Sequence, residues 1–113
     1  MKMLFLILND ESKVDEILLN FQKIGIRGAT VIDSIGMGGI LGVKIPFMKD
    51  QFVRIEKPDN KTIFSVIEDE NILNQAISML REKLQFEKPG TGFMFVVPVL
   101  EAYGMAPKAD KPE

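Results

Sequence analysis

At 113 residues the chain has the length of one domain, and its 46% hydrophobic and 27% charged content is that of a folded protein rather than a disordered one. It has no cysteine and no histidine, which excludes disulfides, thiolate nucleophiles, Ser–His or Cys–His pairs and the usual soft metal sites. A formal net charge of -2 argues against a non-specific nucleic-acid binder.

The chain opens with an apolar run at residues 3–8, closed by Asn9, Asp10 and Glu11. The run is too short for a signal peptide or a membrane span, and it reads as a strand of a cytoplasmic protein without direct membrane insertion. Ser12 is placed to cap a helix, with Asp15 completing a weak capping box. Val14, Ile17, Leu18 and Phe21 follow at helical spacing, and Gly25 supplies a left-handed stop. Residues 29–33 form a short β-rich run, and residues 61–68 a third strand. Asp69 caps a second helix whose apolar stripe is Leu73, Ala76, Ile77, Leu80 and Leu84. Pro89-Gly90 breaks the chain ahead of a last strand at residues 93–99.

Sliding the sequence by 59 positions sets Phe5 on Phe64, Ile7 on Val66, Asp10-Glu11 on Asp69-Glu70 and Leu18 on Ile77. Two β-α-β units in the order βαββαβ give an α+β, ferredoxin-like fold: a four-stranded antiparallel sheet with two helices on one face. The second and fourth strands are the outer ones, and Pro98 is tolerable there because an edge position can lose an N–H. The domain is expected to span residues 1–100, with residues 101–113 a partly disordered tail.

Two helices cover one face only, yet residues 3–8 and 93–97 are apolar on both faces. Each large side chain left in water forfeits about 1.5–3 kcal/mol of burial energy. The bare face is therefore expected to pack against other copies of the chain, in a number the pattern does not fix.

Residues 36–60 form a long connection that is too apolar for a simple linker. Alternation at residues 43–47 and 52–55 suggests two extended arms, either a projecting hairpin or prolongations of the flanking strands. Lys44, Phe47, Met48, Lys49, Phe52 and Arg54 are its candidate partner-binding residues.

Gly25-Ile26-Arg27-Gly28-Ala29-Thr30-Val31, then Gly36-Met37-Gly38, and later Lys88-Pro89-Gly90-Thr91-Gly92-Phe93-Met94-Phe95-Val96, resemble segments of the P-II nitrogen regulatory proteins. That resemblance implies a homotrimer with its sheets turned inward. It also implies a nucleotide such as ATP or ADP in clefts between subunits, and a long loop that docks on protein partners. The chain departs from the pattern where phosphate is gripped. Thr91 replaces an aspartate, Phe93 a lysine, Gly39-Ile40 an arginine–glutamine pair and Asn9-Asp10 a lysine–proline pair. No arginines follow the last strand, and the only tyrosine is Tyr103. Each lost charge-assisted contact is worth about 1.5–3 kcal/mol.

Candidate ligand residues are Asp33, Gly36, Met37, Gly38, Gly39, Gly90, Thr91 and Gly92. The glycines permit close backbone approach, the 90–92 turn can present N–H groups to an anion, Met37 is an adaptable contact and Asp33 is an acceptor. Tight turns and a polar edge residue explain the same positions without a ligand. No nucleophile–base pair points to an enzyme, and no catalytic or metal-ligating set stands out. The sequence reads as a small-molecule-sensing regulator that signals through its loop. The alternatives are a divalent-cation-binding trimer resembling the cation tolerance proteins, or a ligand-free scaffold.

Overall fold

The computed structural model describes residues 1–44, 59–88 and 90–105. The apolar opening run is β1 (Lys2–Leu8), followed by a single 3-10 turn at Glu11–Lys13 and by α1 (Val14–Ile24). Then come β2 (Thr30–Ile35), α2 (Met37–Lys44), β3 (Asp59–Ile67), α3 (Glu70–Leu84) and β4 (Gly92–Pro98). The strands form one antiparallel sheet in the order β2-β3-β1-β4, with the second and fourth strands outermost as the repeat predicts.

Alternation along β1 divides the sheet. Leu4, Leu6 and Leu8 point under the helices and are buried, as are Ile63 and Ile67 of β3. Ile17 and Phe21 of α1 and Leu73, Ala76, Leu80 and Leu84 of α3 close this core from above, with Ile77 and Leu18 at its margin. Ser65 is the one buried polar side chain among the described residues, and its hydroxyl donates to the carbonyl of Gly28, so nothing polar is stranded there.

On the opposite face Phe5 sits directly across from Phe64 on one side and Phe95 on the other. The Phe5 and Phe95 rings stack with centroids 4.8 Å apart, and Phe64 and Phe93 extend the row. Phe93 is 61% and Phe95 37% exposed, and no helix covers them. The edge strand β2 is open as well, with Val31, Ile32 and Ile35 all exposed.

Local chemistry departs from expectation in three places. Asp10, not Ser12, is the capping side chain, and it caps the 3-10 turn, while α1 itself has no side-chain cap: the Asp10 carboxylate accepts from the hydroxyl and the backbone N–H of Ser12, which holds its pKa below the ordinary range. An aspartate reaches the N–H two residues on, so it starts the turn earlier and engages the serine. Second, β2 and β3 each run two residues further toward their connection than the pattern suggested. Third, the start of that connection is helical, so Val43 and Lys44 close α2 rather than opening an extended arm. The Ile40 N–H donates to the Gly36 carbonyl at 3.1 Å. The helix carries three glycines, each costing up to about 1 kcal/mol of helix propensity, which is why the sequence read as turns. The remainder of both arms, with Phe47, Met48, Lys49, Phe52 and Arg54, lies outside the described residues, as do residues 106–113 of the tail.

Gly25 ends α1 in the left-handed region at φ 103°, as expected, and Asp69 caps α3 by accepting from the N–H groups of Asn71 and Ile72. Lys83 donates to Glu16 at 2.7 Å and ties α3 to α1. That bond is the main reason the Glu16 carboxyl titrates below the usual glutamate value.

Two substitutions probe this framework. At Gly92 an added Cβ would stand 2.7 Å from the Ile7 carbonyl oxygen, a backbone atom that cannot swing aside. Gly92→Ala is expected to lower unfolding free energy by about 1–3 kcal/mol in urea titration. The depressed Glu16 pKa makes its contribution present above the ordinary glutamate pKa and lost as pH falls through the folded-state value. The melting-temperature gap between the natural chain and Glu16→Gln should therefore exist at neutral pH and close in acid.

Candidate functional site

The antiparallel order gathers the C-terminal ends of β1 and β2 and the N-terminal ends of β3 and β4 at one end of the sheet. Both glycine turns therefore share that end, although about 50 residues of sequence separate them. Gly36, Met37 and Gly38 lead from β2 into α2, where Gly39 also lies. Gly90, Thr91 and Gly92 lead into β4. They occupy opposite edges, three strand spacings or about 14 Å apart. Within one subunit they share an end without forming one pocket.

Two asparagines join the edges. Asn9 Nδ2 donates to the Gly90 carbonyl at 2.8 Å, and the Asn9 N–H reaches the Thr91 carbonyl at 3.5 Å. Asn60 Nδ2 reaches Asn9 Oδ1 at 3.5 Å, a long contact. The Ser34 hydroxyl donates to Asn60 Oδ1 and lies 2.8 Å from Thr62 Oγ1. Gly36 closes the line: a Cβ there would stand 3.6 Å from Asn60 Nδ2. The side chains of Ser34, Asn60 and Asn9 thus span the strand ends between the two turns. Neither asparagine is among the ligand candidates read from the sequence, where Asn9 figures only in the replacement of a lysine–proline pair. The signal was positional, since each abuts a strand at an end that only the fold brings together.

The glycine turns differ in constraint. Gly92 is required by the close approach of Ile7, and Gly90 adopts φ 84° with open space beside it. Thr91 donates its hydroxyl to the Lys88 carbonyl at 3.2 Å, so that hydroxyl serves the turn. Met37 is 76% exposed at the start of α2, with Ile40 and Leu41 exposed beyond it. Asp33 lies on the helix side of β2, directly opposite Lys61, and accepts a hydrogen bond from the Lys61 ammonium. Glu11 approaches the same ammonium at 3.4 Å. These two carboxylates, Asp33 first, hold the Lys61 pKa above its ordinary value. Asp33 therefore belongs to an ion cluster on the sheet face away from Asn60. Among the described residues no group of three or more acidic side chains is arranged to hold a metal ion.

A second concavity lies at the far end. The β2–β3 ladder stops at Thr30 and Phe64 while β3 continues to Ile67, so residues 25–29 leave the ladder. The result is a groove of about 820 Å³, with residues 25–30 on one side and 64–69 on the other, and with Ile72 and Met105 completing it. Arg27 and Glu68 pair across it at 3.9 Å. Met105 arrives from the other edge of the sheet. The Val99 N–H donates to the Met1 carbonyl just past β4, and residues 99–105 then cross the strand ends, leaving Leu100 and Tyr103 almost fully exposed. Among the described residues no helix is long and apolar enough to cross a membrane.

Comparison with known proteins adds to this geometry. The model of the family Nitrogen regulatory protein P-II matches residues 1–108. No curated protein matches the sequence. Among solved structures, one described as a putative PII-like signaling protein from Thermus thermophilus aligns with a TM-score of 0.58 and 12% identity, over 84% of this chain and 82% of that one. Arabidopsis thaliana PII bound to citrate aligns with a TM-score of 0.57 and 24% identity, over 87% of this chain and 76% of that one. At these identities the structural matches speak for the fold.

Proposed function

The chain belongs to the P-II family of nitrogen regulatory proteins, signalling proteins rather than enzymes, and on that premise we propose that it is a cytoplasmic homotrimer that senses a small molecule between subunits. Its ferredoxin-like domain, residues 1–100, supplies the sensor, and the connection at residues 36–60 carries the signal to a protein partner. The observation that carries this reading is the placement of the two glycine turns at opposite edges of one sheet end, linked by Asn9 and Asn60. A ligand that needs both turns finds them close only where the edge of one subunit meets that of another.

The uncovered sheet face supports the assembly. Phe5, Phe64, Phe93 and Phe95 form a row that water would otherwise wet, and patches of this kind mark interaction surfaces. The family's phosphate-gripping cations are replaced here by Gly39, Phe93 and Asn9, so the triphosphate of ATP has few charged partners. That favours a ligand held mainly by backbone N–H groups, a carboxylate or a less charged nucleotide. The Arabidopsis thaliana protein's citrate makes carboxylates a natural class to test. Binding at the turns would bias the order of the connection because Gly36 is the first residue of both.

Sedimentation equilibrium at micromolar concentration is expected to give a trimer, and Phe95→Glu to shift it to monomer while retaining helical circular dichroism. A stable natural monomer would remove the intersubunit site. Calorimetry against adenine nucleotides, cyclic dinucleotides and di- and tricarboxylates should show saturable heat with one class. In that class Gly36→Val is expected to weaken binding by about tenfold or more, since a branched side chain would crowd Asn60. Silence from every class would overturn the sensor reading and leave the family assignment standing.

A further inference from the structure

We propose that Ser34, Asn60 and Thr62 form a polar key that fixes the register in which a second copy of the chain docks on the open sheet face. This deepens the assembly reading above and rests on it: that reading supplies the contact, and the key decides its alignment. Strand pairing puts the three side chains on the face that carries Phe5. Phe5 lies opposite Phe64, and every second residue of β3 shares that face, as do their β2 partners, Ser34 among them. The face is a mosaic. Its β1 and β4 residues are Met3, Phe5, Ile7, Phe93, Phe95 and Val97, all apolar, and its polar side chains are confined to β2 and β3. Among the described residues no strand position on this face carries a charge. Such a face offers nothing to a phosphate backbone or an anionic membrane, and the centres of protein–protein interfaces are depleted of charge in the same way. A second copy brings the matching mosaic.

The hydrogen bonds of the cluster show why it can be covered and why it discriminates. Ser34 has one hydroxyl proton, and it goes to Asn60 Oδ1. The proton between Ser34 Oγ and Thr62 Oγ1, 2.8 Å apart, is therefore that of Thr62. Both hydroxyl protons are thus used within the subunit, and the cluster can leave water without stranding either. What remains is directional: an N–H of Asn60 and spare lone pairs on the two hydroxyl oxygens. The phenyl rings impose no such direction, because dispersion and burial are tolerant of sliding. A ring laid over the cluster leaves its remaining polar groups without partners. Cluster set against cluster leaves ring row against ring row, so one register outranks its neighbours. Fixing register is the best-attested use of an isolated polar group in an apolar interface.

The chain has no cysteine, so Asn74→Cys, at an exposed position of α3, gives one spin-label site per subunit. Double electron–electron resonance on the labelled chain is expected to show one narrow intersubunit distance distribution. Adding Ser34→Ala with Thr62→Val should keep the helical circular dichroism and the association, but broaden that distribution at least about twofold or split it. Asn60→Leu should broaden it likewise, which keeps the comparison alive if the double variant folds poorly. Thr62→Ser, which retains the hydroxyl, should leave it narrow. The same narrow distribution in all these chains overturns the key while the assembly stands. A labelled chain that shows no intersubunit distance and sediments as a monomer overturns the assembly reading and the key with it.

Discussion

The structure depends on β1 being apolar on both faces while sitting between β3 and β4. Its leucines close the core under α1 and α3. Its other side chains, Met3, Phe5 and Ile7, point to the face that has no helices and are only partly buried there. A strand inside the sheet cannot shed that second set, because alternation sends every other residue there. β3 and β4 answer it in kind, with Phe64 and Phe95 directly opposite Phe5. The ring row stabilises the pairing of the three strands and at the same time makes the isolated subunit incomplete. The fold and the proposed assembly thus share one cause, the apolar character of six consecutive residues near the N-terminus.

Much of this was legible in the sequence because it rests on periodicity and punctuation. The 59-residue repeat places both β-α-β units, Gly25 and Asp69 mark helix ends, and Pro98 marks an edge strand. Each signal is local, and each survives folding because the tertiary structure agrees with it. α2 was not legible, since Gly38, Gly39 and Gly42 weaken a helix in sequence terms and Pro46 lies just beyond. The cap moved from Ser12 to Asp10 because the chain enters through a 3-10 turn that begins at Glu11, which makes Asp10 the cap and Ser12 its donor.

The candidate site was legible in part. Both glycine turns stood out by composition, whereas the Asn9–Asn60 link between them depends on register. Asn9 meets Gly90 and Asn60 only because β1 pairs with β3 and β4 in the observed alignment, and a one-residue slip would turn those side chains to the other face. Asp33 shows the reverse case. Its position in an edge strand left it open to a ligand role, and only the register shows that Lys61, directly opposite and flanked by Glu11, pairs with it. The groove beside Arg27 and Glu68 was invisible because it arises where a ladder ends, which no residue type announces.

The glycine content of α2 has a consequence in time. A helix of eight residues with three glycines stands near the limit of what its own hydrogen bonds sustain. Such a segment winds and unwinds within about 0.1–1 µs, whereas bound molecules commonly remain for milliseconds or longer. Its state would average many times over during one residence of a ligand at the neighbouring turn, were that turn the ligand site. On the proposed sensing reading, the start of the connection would report occupancy without lag, and the speed of a response would be set by arrival and departure rather than by the protein chain.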